Sequence, residues 1–300
     1  MVSALLLSAA LAFTEQDARA AYAHARDFVE DCTPRDAGTV RGMIAANWIL
    51  DKTSSTGVDI RRVRFSVDTP RGTRELTNLS SEFKTGPDAP WVVIVSHFDT
   101  KPGISCPGAN DGASTTGLLM ALASALSREN ALGGNVMLVW TDGEECMESY
   151  SPNDGLHGSR HAAEILRRRG LDVRAVICLD MLGDRDLNIS IPSNGSPALS
   201  KIALLAAERA GLPKGTVEKS DIVVKDDHVP FMDAGFSALA LIDFNYGSAP
   251  GLNDYWHTPK DTMDKVSEES LLKSGRLVAE MLEILLPPKS APEEKKEAGK

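Results

Sequence analysis

Three apolar runs in this chain each stop at a residue that can hold a metal ion, and this repetition constrains the fold more than any other feature. Trp91-Val92-Val93-Ile94-Val95 leads into Ser96-His97. Asn135-Val136-Met137-Leu138-Val139-Trp140 leads into Thr141-Asp142-Gly143-Glu144-Glu145, and Ala175-Val176-Ile177-Cys178-Leu179 leads into Asp180. Continuous apolar runs of this length, separated by helical patterns, are strands of a parallel sheet covered on both faces. Ligands of such sheets gather outside the carboxyl ends of the strands, so the three runs deliver their polar residues to one rim. The expected fold is α/β, a mixed, mostly parallel central sheet with helices on both faces in a single domain.

Around the three runs, a helical pattern spans about Glu15 to Lys52 with a break near Thr33-Pro34. Val63 to Val67 and Leu76 to Phe83 read as a strand pair joined by a Pro-Arg-Gly turn. Helices are expected over Gly112 to Leu126, Gly158 to Arg169, Pro197 to Ala210 and Glu268 to Leu286, with a further strand from Ser237 to Ile242. That series puts Asp111 at a helix N-terminus, where its carboxylate would satisfy free backbone amides as well as face a metal. Arg167-Arg168-Arg169 would end its helix at the negative pole of the dipole.

The chain has 300 residues, 42% hydrophobic and 25% charged, which suits one sizeable core. A formal net charge of -10 argues against nucleic acid or an anionic membrane as partner, because phosphates would repel it. The stretch Ala4 to Phe13 is apolar with small residues, like the core of an export signal, although no Lys or Arg precedes it. It is too short to span a bilayer. Residues 1–20 are therefore read as a candidate signal segment, 21–287 as the catalytic domain and 288–300, rich in Glu, Lys, Ala and Pro, as a disordered tail. The corresponding location is periplasmic or secreted, with the cytoplasm as the alternative. Of four cysteines, Cys32 and Cys106 form the one pair worth testing for a bridge.

His97, Asp111, Glu145, Asp180 and His257 supply the imidazoles and carboxylates that zinc takes at about 2.0–2.2 Å. Asp99, two residues after His97, is spaced to orient that imidazole. Glu144 and Glu145 are adjacent and cannot point the same way from extended backbone, so one would face the metal and the other the substrate. Asp180 ends a buried strand, where a carboxylate without a partner is costly. Asp226-Asp227-His228 precedes Val229-Pro230-Phe231, and Asp227 is placed to cap a helix there. Trp256, next to His257, would wall a pocket.

Taken together, these motifs resemble the zinc exopeptidase family of the di-zinc aminopeptidase type. They are His97-Phe98-Asp99, Gly108-Ala109-Asn110-Asp111-Gly112-Ala113, Asp142-Gly143-Glu144-Glu145, Asp227-His228 with Phe231, and His257-Thr258-Pro259 with Asp261-Thr262. The likeness runs from about Val92 to Val266. Within the superfamily, Glu144 to Ala162, Asp226 to Phe231 and Trp256-His257-Thr258 are similar to the animal-type glutaminyl cyclases. That resemblance implies an enzyme acting on peptide N-termini, with one zinc held by Asp111, Glu145 and His257 and Glu144 as proton shuttle. It also implies that Asp180 and Asp226 form the supporting hydrogen-bond network, that His228 and Asp99 lie behind the site, and that Trp256 and Tyr150 meet the substrate. The runner-up is a metalloaminopeptidase with two zincs. There His97 and Asp180 complete the second site, Asp111 bridges, and Glu144 deprotonates the attacking water. A non-catalytic binding module of the same fold would be expected to lose a ligand or the base, and none is lost. Several positions depart from the animal pattern. Tyr150 replaces a tryptophan, Ala240 a histidine, Gly112 a serine, and Ser96 and Thr116 a pair of cysteines, while the segment from Asp243 to Asp254 is longer.

Overall fold

A computed structural model describes residues 11–288. Its centre is one eight-stranded sheet in the order β1-β2-β4-β3-β5-β8-β6-β7. The strands are β1 (Arg61–Thr69), β2 (Gly72–Phe83), β3 (Trp91–His97), β4 (Asn135–Thr141), β5 (Val173–Asp180), β6 (Ile189–Ile191), β7 (Val217–Lys219) and β8 (Ala238–Ile242). β3 pairs in parallel with β4 and β5, and β5 with β8, so the four central strands run one way. β1 and β2 form an antiparallel hairpin added to the β4 edge. β6 joins β8 antiparallel, and β7 pairs in parallel with β6. The sheet is therefore mixed and mostly parallel, as its apolar runs imply.

Alternation along each strand sorts the core into two layers. Val92, Ile94, Leu138, Ile177 and Leu241 face the layer that holds α1 (Glu15–Cys32), α2 (Val40–Ser54), α3 (Thr115–Arg128), α5 (Pro197–Arg209) and α7 (Glu268–Leu285). Val93, Val95, Val139, Val176 and Ala240 face the opposite layer, where α4 (His157–Arg169) and α6 (His228–Asp233) pack. Burying both faces is what makes β3, β4 and β5 apolar without interruption. Arg167, Arg168 and Arg169 occupy the last turn of α4, and Arg169 reaches Glu82 of β2.

Thr14 starts α1 with a reciprocal cap, its hydroxyl accepting from the Asp17 amide and the Asp17 carboxylate accepting from the Thr14 amide. Leu11 and Phe13, placed in the leader segment by sequence, are buried in the main core, and Phe13 lies against Gly275 of α7. The folded body thus includes residues 11–20. Residues 1–10 and 289–300, the rest of the leader and the tail, lie outside the described residues. Among the described residues no helix is long and apolar enough to cross a membrane. All four cysteines are buried free thiols. Cys32 and Cys106, the pair worth testing for a bridge, are not joined, and the Cys106 sulfur sits 4.0 Å from the Asp261 carboxylate.

Candidate metal centre

The carboxyl ends of the central strands bring the five metal-type residues together. His97 closes β3, Asp180 closes β5, Glu145 follows β4, Asp111 lies on the turn before α3, and His257 comes from the loop after β8. They form two triads, His97-Asp111-Asp180 and Asp111-Glu145-His257, whose ligand atoms lie within 4.8 Å of one another. Asp111 is common to both. Its Oδ1 is 3.3 Å from His97 Nε2 and its Oδ2 is 3.3 Å from His257 Nε2. His257 Nε2 is also 2.8 Å from Glu145 Oε1, and His97 Nε2 is 3.2 Å from Asp180 Oδ1.

Asp111 does not cap α3 as expected. That helix begins at Thr115, and Asp111 sits earlier in an irregular turn, Ala109–Ser114, with non-helical backbone. Its carboxylate is thereby free to face the imidazoles. Gly112 makes this possible: its φ is +92°, and a Cβ there would lie 3.2 Å from His97 Cε1. This is where the animal cyclase pattern carries serine.

Electrostatics at the rim favour a cation. Burial opposes charge on His97, yet Asp111, Asp180 and Asp99 hold its imidazolium well above the ordinary value. Burial likewise opposes charge on His257, which Asp111 and Glu145 push up to about 9. Burial and the neighbouring Asp111 charge raise Glu145 to about 7. The carboxylates thus favour positive charge on both imidazoles, a charge that a bound dication would supply instead. Glu145 Oε2 is buried without a hydrogen-bond partner among the described residues, and Lys101 Nζ lies 3.5 Å from it. Nitrogen and oxygen donors clustered in this way fit zinc.

Glu144 and Glu145 line one cavity but meet different partners, Glu145 reaching His257 and Glu144 the Tyr150 hydroxyl. The Asp99 carboxylate accepts both of their backbone amides at 3.2 Å and so fixes the turn that separates them. Asp99 Oδ1 also lies 3.6 Å from His97 Nδ1, beyond hydrogen-bond length, so its firm contacts are to the glutamate pair. Glu144 Oε1 accepts from the Tyr150 hydroxyl at 3.0 Å. Burial, then Glu145, Asp227 and Asp226, push the Glu144 carboxyl well above the usual range. Asp226 is raised by burial and then by Asp180 and Asp227, and its Oδ2 has no hydrogen-bond partner among the described residues. Asp227 stands at the start of α6 but does not cap it, because its carboxylate accepts from Thr141 Oγ1 at 2.5 Å.

His228 is fully buried, and neither ring nitrogen has a hydrogen-bond partner among the described residues, so it orients no ligand through a hydrogen bond. Burial lowers its pKa to about 4. A histidine with a lower pKa folded than unfolded takes up protons on unfolding. Its contribution to stability is therefore complete above about pH 6.5 and is lost between there and about pH 4, by about 3 kcal/mol. Denaturant unfolding at pH 7 and pH 4.5 should show His228→Leu losing less stability on acidification than the parent. Equal losses would contradict the assignment.

A family model described as peptidase family M28 matches residues 78–282. The chain belongs to peptidase family M28. Among M28 relatives, a glutaminyl-peptide cyclotransferase-like protein of Bos taurus is 28% identical over 267 residues, covering 77% of this chain and 66% of that protein. This M28 chain thus spans slightly less than two thirds of that relative's length. Aminopeptidase YwaD of Bacillus subtilis is 27% identical over 194 residues, covering 62% of this chain and 39% of that protein. The crystal structure of an Acidobacteriales bacterium glutaminyl cyclase is similar with a TM-score of 0.84 and 31% identity, covering 95% of this chain and 99% of that one.

The M28 centre opens into a small cavity of about 20 Å³. Asp111, Glu144, Glu145, Asp180, Asp226 and His257 line it with Tyr150, Val224, Lys225, Ile242, Phe244 and Trp256. Trp256 stacks on His257 at 3.9 Å and meets Phe244 edge-on at 5.8 Å. Of Ser96 and Thr116, which stand where the animal cyclase pattern carries paired cysteines, Ser96 donates its hydroxyl to Thr115 Oγ1 at 2.8 Å and Thr116 donates its hydroxyl to the His97 carbonyl at 3.2 Å. They join the end of β3 to α3 without a covalent link. Lys101, Phe244, Val224 and Lys225 carry no motif that sequence reading could use, and the fold alone brings them to the site.

Proposed function

We propose that this protein is a zinc-dependent glutaminyl-peptide cyclotransferase that closes the N-terminal glutamine of a peptide to pyroglutamate and releases ammonia. What carries the cyclase reading is the cavity. It is walled by Trp256 and Phe244 and holds Glu144 and Asp226 as buried acids beside the triad of Asp111, Glu145 and His257. The likeness to the Acidobacteriales glutaminyl cyclase over nearly the whole chain supports it.

Asp111, Glu145 and His257 would hold the zinc. When bound, the ion supplies Lewis-acid polarisation of the γ-amide carbonyl. Glu144 takes a proton from the α-amine as its nitrogen attacks the γ-amide carbon, then delivers that proton to the departing amide nitrogen, which leaves as ammonia. Tyr150 steadies Glu144 through its hydroxyl. Asp226 Oδ2, which has no hydrogen-bond partner among the described residues and lines the cavity, would accept from a substrate nitrogen. No water enters the balance, which suits a narrow site closed by aromatic rings. We read the enzyme as exported, on the apolar stretch that begins at Ala4. Ammonia released from a glutaminyl dipeptide in step with loss of the dipeptide, and without free glutamine, tests the reading.

The second triad, His97-Asp111-Asp180, supports an alternative with two zincs and hydrolysis of the first peptide bond. The one-zinc arrangement predicts that His97→Ala retains cyclisation to within about tenfold, the lower end of the cost of losing an outer partner, with its zinc content unchanged. Abolished turnover with half the zinc would favour the hydrolase.

A further inference from the structure

Arg35 follows α1, far in sequence from any metal-type residue, yet it is completely buried and its guanidinium reaches the centre. Nε donates to the Phe98 carbonyl at 2.6 Å, Nη1 to the Pro107 carbonyl at 2.7 Å, and Nη2 to the carbonyls of Gly108 at 2.6 Å and Asp111 at 3.3 Å. The Phe28 ring lies beneath it, 4.9 Å from Cζ. No carboxylate forms an ion pair with it among the described residues. An apolar side chain would fill the same space without the cost of desolvating a cation, so packing does not account for arginine here.

We propose that Arg35 is a positioning residue for Asp111, the ligand common to both triads. The inference rests on the reading of Asp111 as a zinc ligand. The carbonyls that Arg35 collects lie on two segments: Phe98 adjoins His97, and Pro107, Gly108 and Asp111 belong to the turn that presents the shared carboxylate. Arg35 therefore binds the His97 segment to the Asp111 segment. From the other side Asp261, four residues after His257, accepts from the amides of Asn110 at 2.7 Å and Asp111 at 3.1 Å, and is itself held by the Tyr246 hydroxyl at 2.6 Å. The peptide backbone of Asp111 is gripped at its N–H by Asp261 and at its carbonyl by Arg35. Gly108 completes the cradle. Its φ is +61°, and a Cβ there would stand 2.6 Å from Arg35 Nη2 and 2.7 Å from the Asp111 carbonyl oxygen. A planar fork can serve carbonyls on both segments at once, whereas a lysine ammonium concentrates its donors at one point. Arg35 also brings a fixed positive charge near Asp111 and Asp261, which tempers their mutual repulsion.

The test is zinc affinity, measured on the full chain by competition with a chelator, beside thermal unfolding of the metal-free protein. Arg35→Lys keeps the charge and is expected to lower zinc affinity by about 10–100-fold, the usual cost of losing an outer partner of a metal ligand. Gly108→Ala, which presses on the same guanidinium, is expected to act in the same direction. A purely structural role would lower the unfolding temperature and leave the zinc affinity of the folded protein unchanged; that result in Arg35→Lys overturns the proposal. A parent protein that binds zinc but hydrolyses peptides would overturn the cyclase reading alone. A parent that binds no zinc would overturn both.

Discussion

Glu144→Gln should lower turnover by about 10²–10⁴-fold, the range that a positioned acid-base group contributes, while zinc content stays at the parental level. Glutamine keeps the shape of the side chain and an oxygen for the Tyr150 hydroxyl, which sits 3.0 Å from Glu144 Oε1. It cannot accept a proton from the α-amine or return one to the leaving nitrogen. Neither triad includes Glu144, so the metal should remain. The raised proton affinity of Glu144, imposed first by burial and then by Glu145, suits a group that must hold a proton between two nitrogens and then release it. Turnover at the parental rate, or zinc lost in proportion to activity, would contradict the role.

Replacing the neighbour should have the opposite signature. Glu145→Gln is expected to lose zinc and activity together, with zinc affinity falling by more than the roughly 10–100-fold that an outer partner costs. Glu145 Oε1 lies 2.8 Å from His257 Nε2, on the same side of the site as Asp111 Oδ2. An amide there offers the metal a neutral oxygen and leaves the surrounding dipoles poorly matched. Metal analysis after gel filtration, beside the rate at saturating zinc, separates the two variants. Normal zinc content in Glu145→Gln would move the metal away from the Asp111-Glu145-His257 triad. One residue of displacement along the chain thus changes the expected failure from chemistry to metal binding, because Asp99 fixes both amides of the turn.

The strand ends were legible in the sequence for a physical reason. A parallel strand buried on both faces has no polar residues to spare, so His97, Asp180 and the Asp142 to Glu145 run stand out where β3, β5 and β4 stop. Their convergence followed from sheet topology. The turn at Asp111 was less legible. Small apolar residues from Gly112 onward suggest a helix, but the positive φ of Gly112 delays α3 to Thr115 and turns the carboxylate away from a capping position. Asp227 was misread for a related reason, since a residue that precedes a helix can spend its oxygens elsewhere, here on Thr141 of β4. Arg35 and Asp261 act through backbone groups about 63 to 76 and 150 residues away in the chain. Such contacts leave no periodicity, and sequence reading gave neither residue a role. The short strands β6 and β7, three residues each, carry too little pattern to register.

Cyclisation and hydrolysis need almost the same residues, and the difference between them lies in which nucleophile reaches the carbonyl. On the cyclase reading, Trp256, Phe244 and Tyr150, which line the cavity with Glu144, would favour the substrate's own amine over ordered water. A hydrolase would need both triads filled and a water held between Glu144 and the scissile bond. The sharing of Asp111 between the triads makes either arrangement compatible with one set of ligands.

Mass spectrometry of a Gln-Phe-Ala peptide incubated with the zinc-loaded protein, beside a Leu-Phe-Ala control, tests the central claim most directly. The account predicts that the glutaminyl peptide loses one ammonia with its chain intact while the leucyl peptide is unchanged. Free glutamine from the first peptide, or free leucine from the second, would contradict it and assign the site to hydrolysis.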